Sequence, residues 1–166
     1  RWESPLKNNM RACMQCHNQS SEWLKQRVLD IQDRVNHMFT KAGYSVARAA
    51  LMIEAAEKNP RSDKTLIKRA KEMYEEAYYR NTWIGAENSM GFHNPPEALR
   101  VLGDAIDQGR QAEMLAREAI LKAGGTPPEL DMARIDQIVL ERYKSTDGKT
   151  RFKPDVKRKA ALLTQK

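Results

Sequence analysis

The stretch Cys13-Met14-Gln15-Cys16-His17 constrains this chain more than any other five residues in it. Two cysteines separated by two residues, with a histidine directly after the second, form the attachment pattern for c-type haem. The spacing has a chemical reason: each thiol adds across a vinyl group of the porphyrin, and the single turn between the sulfurs aims the next side chain at the iron. Cys13 and Cys16 are therefore the candidate covalent anchors and His17 the candidate proximal ligand. The pattern admits other readings. A thioredoxin-like redox pair belongs at a strand-to-helix junction, and no strand pattern leads into this one. Structural zinc takes four ligands, and beyond Cys13, Cys16 and His17 only His37 and His93 remain, with no second cysteine pair. Two ordinary free or buried thiols are the simplest alternative. Because both cysteines of the whole chain fall inside this one motif, haem is the preferred reading.

A haem would also answer a shortage in the composition. At 166 residues the chain is long enough for a domain with a core. Yet mean hydropathy is -0.76, with 31% of residues charged and 40% hydrophobic, a chain rich in helix surface and thin in core. A buried porphyrin or a partner surface would supply the missing apolar area. The net charge of +7 is uneven, since residues 149–166 hold seven basic side chains against Asp155 and the rest of the chain is nearly neutral. Such a run is ordinarily a solvated segment, and no nucleic-acid-binding module accompanies it. No 18-residue apolar stretch is present to cross a membrane. The chain opens at Arg1 with no signal peptide. Haem is attached to such motifs outside the cytoplasm, so a signal is expected further upstream, and the chain reads as a processed or excised piece.

The pattern divides the chain into a haem-attachment segment over 1–18, a long-helix region over 19–148 and a basic tail over 149–166. All of it reads as helix or loop, giving an all-α fold. Ser20-Ser21 offers an N-cap for a helix whose apolar residues Leu24, Val28, Ile31, Val35 and Met38 repeat at spacings of 4, 3, 4 and 3, a coiled-coil-like seam. Gly43 is its expected stop. His37 lies beside that seam and reads as a surface residue. An alanine-rich segment follows to Glu57 and ends at Asn59-Pro60; Ser62 or Asp63 then caps a helix with Leu66, Ala70, Met73 and Ala77 on one face. Tyr74, Tyr78, Tyr79 and Trp83 gather near its end and read most simply as core. A further helix is expected from Pro96 to about Ala123, carrying Leu102, Ala105, Gly109, Ala112, Ala116 and Ala119 in register. Small residues in register let another helix approach closely, as an internal seam with the long helices also available for dimerisation. Thr126-Pro127-Pro128 should open a shorter helix with Met132, Ile135 and Val139 on one face, and a turn over 145–148 leads to the tail, with a last short helix through Ala160 to Leu163.

The second informative stretch is Asn88-Ser89-Met90-Gly91-Phe92-His93-Asn94-Pro95-Pro96. One glycine and two prolines interrupt the helices and hold His93 in a bend, which suits either an aimed ligand or an ordinary loop histidine.

The Cys13–His17 motif, the approach Trp2-Glu3-Ser4-Pro5-Leu6, and the turn Ser89–Pro95 running into Glu97-Ala98-Leu99-Arg100-Val101-Leu102-Gly103 together resemble the C-terminal part of the ammonia-forming cytochrome c nitrite reductases, periplasmic pentahaem enzymes. The resemblance runs from Arg1 to about Gly125. It implies a multihaem cytochrome in which Cys13, Cys16 and His17 serve the last haem c of about five, and in which His93 is the distal ligand of a haem attached upstream. It gives His37 no role. It further implies a homodimer through the long helices, a quinol-linked cytochrome as electron donor, nitrite as substrate, and a periplasmic location with membrane association through a partner subunit. The Cys-x-x-Cys-Lys motif of that family's catalytic haem is missing here, as are the residues that handle substrate and calcium. This segment by itself is therefore expected to be inactive and to relay electrons. A haem with two axial imidazoles leaves no open site on iron. A free-standing monohaem cytochrome is the alternative.

Overall fold

The computed structural model of the chain describes residues 5–144. Residues 1–4 and 145–166, which include Trp2-Glu3-Ser4, the turn over 145–148 and the basic tail, lie outside the described residues. A short 3-10 turn, Pro5–Lys7, precedes α1 (Arg11–Met14); then come α2 (Ser21–Lys58), α3 (Lys64–Ala86), α4 (Pro95–Lys122) and α5 (Met132–Lys144). Every element among the described residues is helical, as the sequence pattern requires.

The caps are the ones the sequence advertises. The Ser20 hydroxyl accepts from the Trp23 amide at 3.2 Å, and the Asp63 carboxylate accepts from Thr65 and Leu66 at 2.9 and 3.2 Å. Each satisfies amides that the first helical turn leaves without intrahelical partners. The Asn94 side chain accepts from Glu97 at 3.3 Å, with Pro95 and Pro96 in the tolerated first positions of α4.

Three expectations fail. Gly43 does not stop α2, which runs unbroken to Lys58. Gly43 is buried inside the helix, and a Cβ there would meet only Val139 Cγ1 at 3.9 Å; tertiary packing overrides its weak helix propensity. The segment after Thr126 is not helical until Met132, where the Asp131 side chain accepts from the Ala133 amide at 2.9 Å. Tyr78, Tyr79 and Trp83 are not core, being 44%, 68% and 55% exposed. The apolar stripe of α3 runs instead through Leu66, Ile67, Ala70, Ala77 and Ile84, and only Tyr74 of the aromatic group packs partly against it.

The core lies between α2, α3 and α4. Ala105, Gly109, Ala112, Ala116 and Ala119 are all buried, and a Cβ on Gly109 would sit 2.5 Å from Ser45 Oγ and 3.1 Å from the Ser45 carbonyl carbon. The small-residue register is thus an internal seam that brings the backbones of α2 and α4 together. Ser45 also donates its hydroxyl across that seam to the Ile106 carbonyl at 2.8 Å. Near its centre Glu113 of α4 takes both Arg48 of α2, at 2.7 and 2.8 Å, and Arg117, at 2.9 Å. Burial pushes the Glu113 carboxyl up, but the two guanidinium groups outweigh it and hold the group below its ordinary value. The Tyr44 hydroxyl donates to Asp136 at 2.5 Å, Arg134 reaches Glu54 at 3.1 Å, and Ile135 and Val139 pack on Tyr44, Ala47 and Leu51. These contacts lay α5 antiparallel along α2.

Candidate functional site

The haem motif straddles the C-terminal end of α1 and the turn after it. Asn9 and Met10 both adopt positive φ, 46° and 56°, before the helix begins. That conformation is uncommon for a methionine, and burial holds it in place: Met10 is 2% exposed, seated on Leu24 and Val28 of α2 with Leu6, Cys13 and Phe92 around it. The Cys13 carbonyl then accepts from the amides of Cys16 and His17 at 3.2 and 3.0 Å, which puts both cysteines and the histidine on one turn. Cys13 is half-buried, Cys16 exposed, and the two thiols are not joined in a disulfide. His17 is exposed. Met14 and Trp23 stand close in sequence with 47% and 54% of their surface open to solvent.

That arrangement fits a covalently held porphyrin. Two unpaired thiols one turn apart, an accessible imidazole directly after them, and apolar side chains with nothing over them are what the attachment chemistry needs. It does not fit zinc, because among the described residues no three His, Cys, Asp or Glu side chains gather into a cage. Nor does it fit a thioredoxin-like pair, since the motif follows a turn and not a strand.

His93 lies on the turn between α3 and α4, and that turn is built on Glu87. The Glu87 carboxylate accepts from the Ser89 amide, the Ser89 hydroxyl and the Gly91 amide, each at 2.8 Å, and lies 3.6 Å from His93 Nδ1. Burial pushes the Glu87 carboxyl up, but these donors and the His93 ring together hold it below the ordinary carboxylate value. The Ser89 hydroxyl also accepts from the His93 amide at 3.2 Å. Gln32 of α2 donates to the Ser89 carbonyl at 2.9 Å in a buried contact, pinning the turn to the bundle. Met90 and Gly91 have φ of 49° and 74°. Gly91 is needed on two counts, its backbone conformation and its space, for a Cβ would lie 2.8 Å from Ala98 Cβ and 2.9 Å from Val35 Cγ2.

Both regions carrying the candidate residues therefore enter through a pair of positive-φ residues with a buried methionine, Met10 in one and Met90 in the other. They meet through Phe92, which packs in the same small cluster as Cys13 and Met10. The His93 side chain is 79% exposed, its ring beside Phe92. His37, by contrast, sits exposed on α2 away from this cluster. Glu87, Gln32 and Met10 escaped the sequence reading. A glutamate six residues before a histidine has no periodicity to betray it, and the Gln32 contact spans 57 positions.

A family model described as cytochrome c552 matches residues 1–165. The cytochrome c nitrite reductase subunit NrfA of Nitratidesulfovibrio vulgaris Hildenborough is 35% identical over 126 residues, 71% of this chain and 24% of that protein. A cytochrome c-552 of Parabacteroides distasonis is 29% identical over 125 residues, 75% of this chain and 25% of that protein. A solved structure of cytochrome c nitrite reductase from Desulfovibrio desulfuricans ATCC 27774, whose catalytic subunit is described as having two calcium sites, aligns with a TM-score of 0.66 and 29% identity over 84% of this chain. The chain spans about a quarter of the length of these curated relatives and 33% of that solved chain.

Proposed function

For a chain that belongs to the cytochrome c552 family, we propose the role of the C-terminal haem-bearing part of a multihaem nitrite reductase that converts nitrite to ammonium. Cys13 and Cys16 would hold a haem c through two thioether bonds, each thiol adding across a vinyl group with sulfur to one carbon and hydrogen to the other. His17 would be its proximal ligand, and His93 would serve as distal ligand to a haem attached in the upstream part of the parent chain. Haem c, when bound, supplies a one-electron redox centre. The chain's own residues would anchor and orient it: the turn closed on the Cys13 carbonyl fixes the order of sulfur, sulfur and imidazole.

The observation that carries this reading is the geometry of one turn, with two unpaired thiols and an exposed imidazole, in a chain matched to the family along its length. The segment relays electrons, and the open catalytic haem and the calcium ligands belong to the rest of the parent. A periplasmic homodimer through the long helices, fed by a quinol-linked cytochrome, completes the proposal.

The test is the covalent haem content of the native parent protein by pyridine haemochrome and denaturing mass. Several covalent haems are expected, with one lost in the double variant Cys13→Ser, Cys16→Ser. An unchanged count in that variant sinks the anchor assignment. A parent no longer than this chain, carrying one haem, points instead to a small electron carrier.

A further inference from the structure

We propose that Glu87 is a positioning residue for His93, taking the Nδ1 side of the ring so that Nε2 is the nitrogen offered to an iron; this rests on the reading of His93 as a ligand. The placement of Glu87 is otherwise hard to understand. It caps the C-terminal end of α3, where the helix dipole disfavours a negative charge. What holds the carboxylate there is the turn itself, through the Ser89 amide, the Ser89 hydroxyl and the Gly91 amide. Three donors at 2.8 Å leave the carboxylate little freedom to rotate. One of its oxygens, Oε1, remains 3.6 Å from His93 Nδ1, while the ring is otherwise largely open to solvent. A carboxylate fixed by its own neighbours and facing one ring nitrogen selects the tautomer with the proton on that nitrogen. It also makes the opposite nitrogen a stronger donor to a metal, the effect that outer partners have on ligating histidines generally.

The turn beneath is braced for this. Gln32 holds the Ser89 carbonyl from α2, and Gly91 is wedged against Val35 and Ala98. Ser89 and Glu87 therefore divide two tasks: Ser89 shapes the backbone, accepting from the His93 amide, and Glu87 addresses the ring.

The experiment uses the haem-loaded parent protein with three variants, Glu87→Gln, Ser89→Ala and His93→Ala, followed by spectroelectrochemistry and electron paramagnetic resonance after the haem count is verified. Removing the carboxylate weakens donation to iron and favours the reduced state. Glu87→Gln is expected to raise one haem's potential by about tenfold in its reduced-to-oxidised ratio, about 59 mV for one electron. Ser89→Ala removes one of the three donors to the carboxylate but keeps its charge, and is expected to shift that potential by much less than Glu87→Gln. A clearly larger shift, or loss of one low-spin signal, in Glu87→Gln than in Ser89→Ala supports the proposal. Equal changes in both variants, or none in Glu87→Gln, overturn it and leave Glu87 as loop scaffolding. An unchanged low-spin spectrum in His93→Ala overturns the ligand reading itself, a different result from the other two.

Discussion

The two halves of α2 are one continuous helix with two different occupations. Between Ser21 and Phe39 only Leu24, Val28, Gln32 and Val35 are buried, a single narrow stripe. From Thr40 to Lys58 twelve residues are buried, because α3, α4 and α5 close round that half. The first half meets the haem motif and the His93 turn through small contacts, Met10, Cys13 and Phe92 on Leu24 and Val28, and Gln32 on Ser89, and reaches α3 and α4 only at its end through Val35, Met38 and Phe39. The second half meets whole helices through alanines and a glycine. The lesson is a division of labour. Stability resides where the chain covers itself, and the proposed function resides where it leaves apolar surface for something else to cover.

Substitutions can break that division from either side. The largest effect belongs to Gly109→Leu, which drives a side chain into the Ser45 backbone at 3.1 Å. Overpacking of this kind should cost about 3 kcal/mol, a fall of roughly 6–12 °C in Tm for a chain of this size, measured by thermal unfolding. Next comes Glu113→Gln, which leaves Arg48 and Arg117 without their shared charge inside the seam. About 2 kcal/mol is expected, and the loss should depend on pH. Because the carboxyl is held below its ordinary value of 4.5, its contribution is present above that value and disappears as pH falls through the lower folded value. Wild type should therefore lose stability below pH 4.5 more steeply than Glu113→Gln, and parallel acid unfolding curves would contradict the ion-pair account.

Leu24→Ala sharpens the comparison from the other end. The side chain is buried at 6% exposure, but in the small cluster only. It should loosen the haem segment locally, speeding amide exchange at Cys16 and His17, while Tm moves by about 2 °C or less, as local openings do not draw on global stability. A Tm loss as large as that of Gly109→Leu would show that the two halves unfold as one. The smallest effect has the opposite sign. Gly43→Ala adds a methyl with only Val139 in range, and should gain about 0.5–1 kcal/mol from helix propensity, read as a small rise in denaturant midpoint.

Local chemistry made much of this legible in the sequence. Ser20, Asp63 and Asn94 announce helix starts because a cap needs only its own side chain and the amides two or three residues on. The candidate anchors Cys13, Cys16 and His17 are legible because covalent haem attachment demands that fixed spacing. The alternation of Leu24, Val28 and Val35 and the small register of α4 follow from the helical period alone. What failed needed neighbours. Gly43 reads as a stop until α5 lies across it, and Tyr78, Tyr79 and Trp83 read as core until α3 shows which of its faces meets α4.

The sequence by itself determined an all-α chain, its capped helix starts and the candidate haem-anchoring residues, because each depends on groups within a turn or two of one another. Only the tertiary structure decided that Arg48 would share Glu113 across 65 positions, that Gln32 would brace the His93 turn across 57, and that Phe92 and Cys13 would both pack on the cluster of Met10, Leu24 and Val28. Those contacts depend on where whole helices come to rest. That follows from the summed burial of many side chains, to which no single pattern in the sequence corresponds.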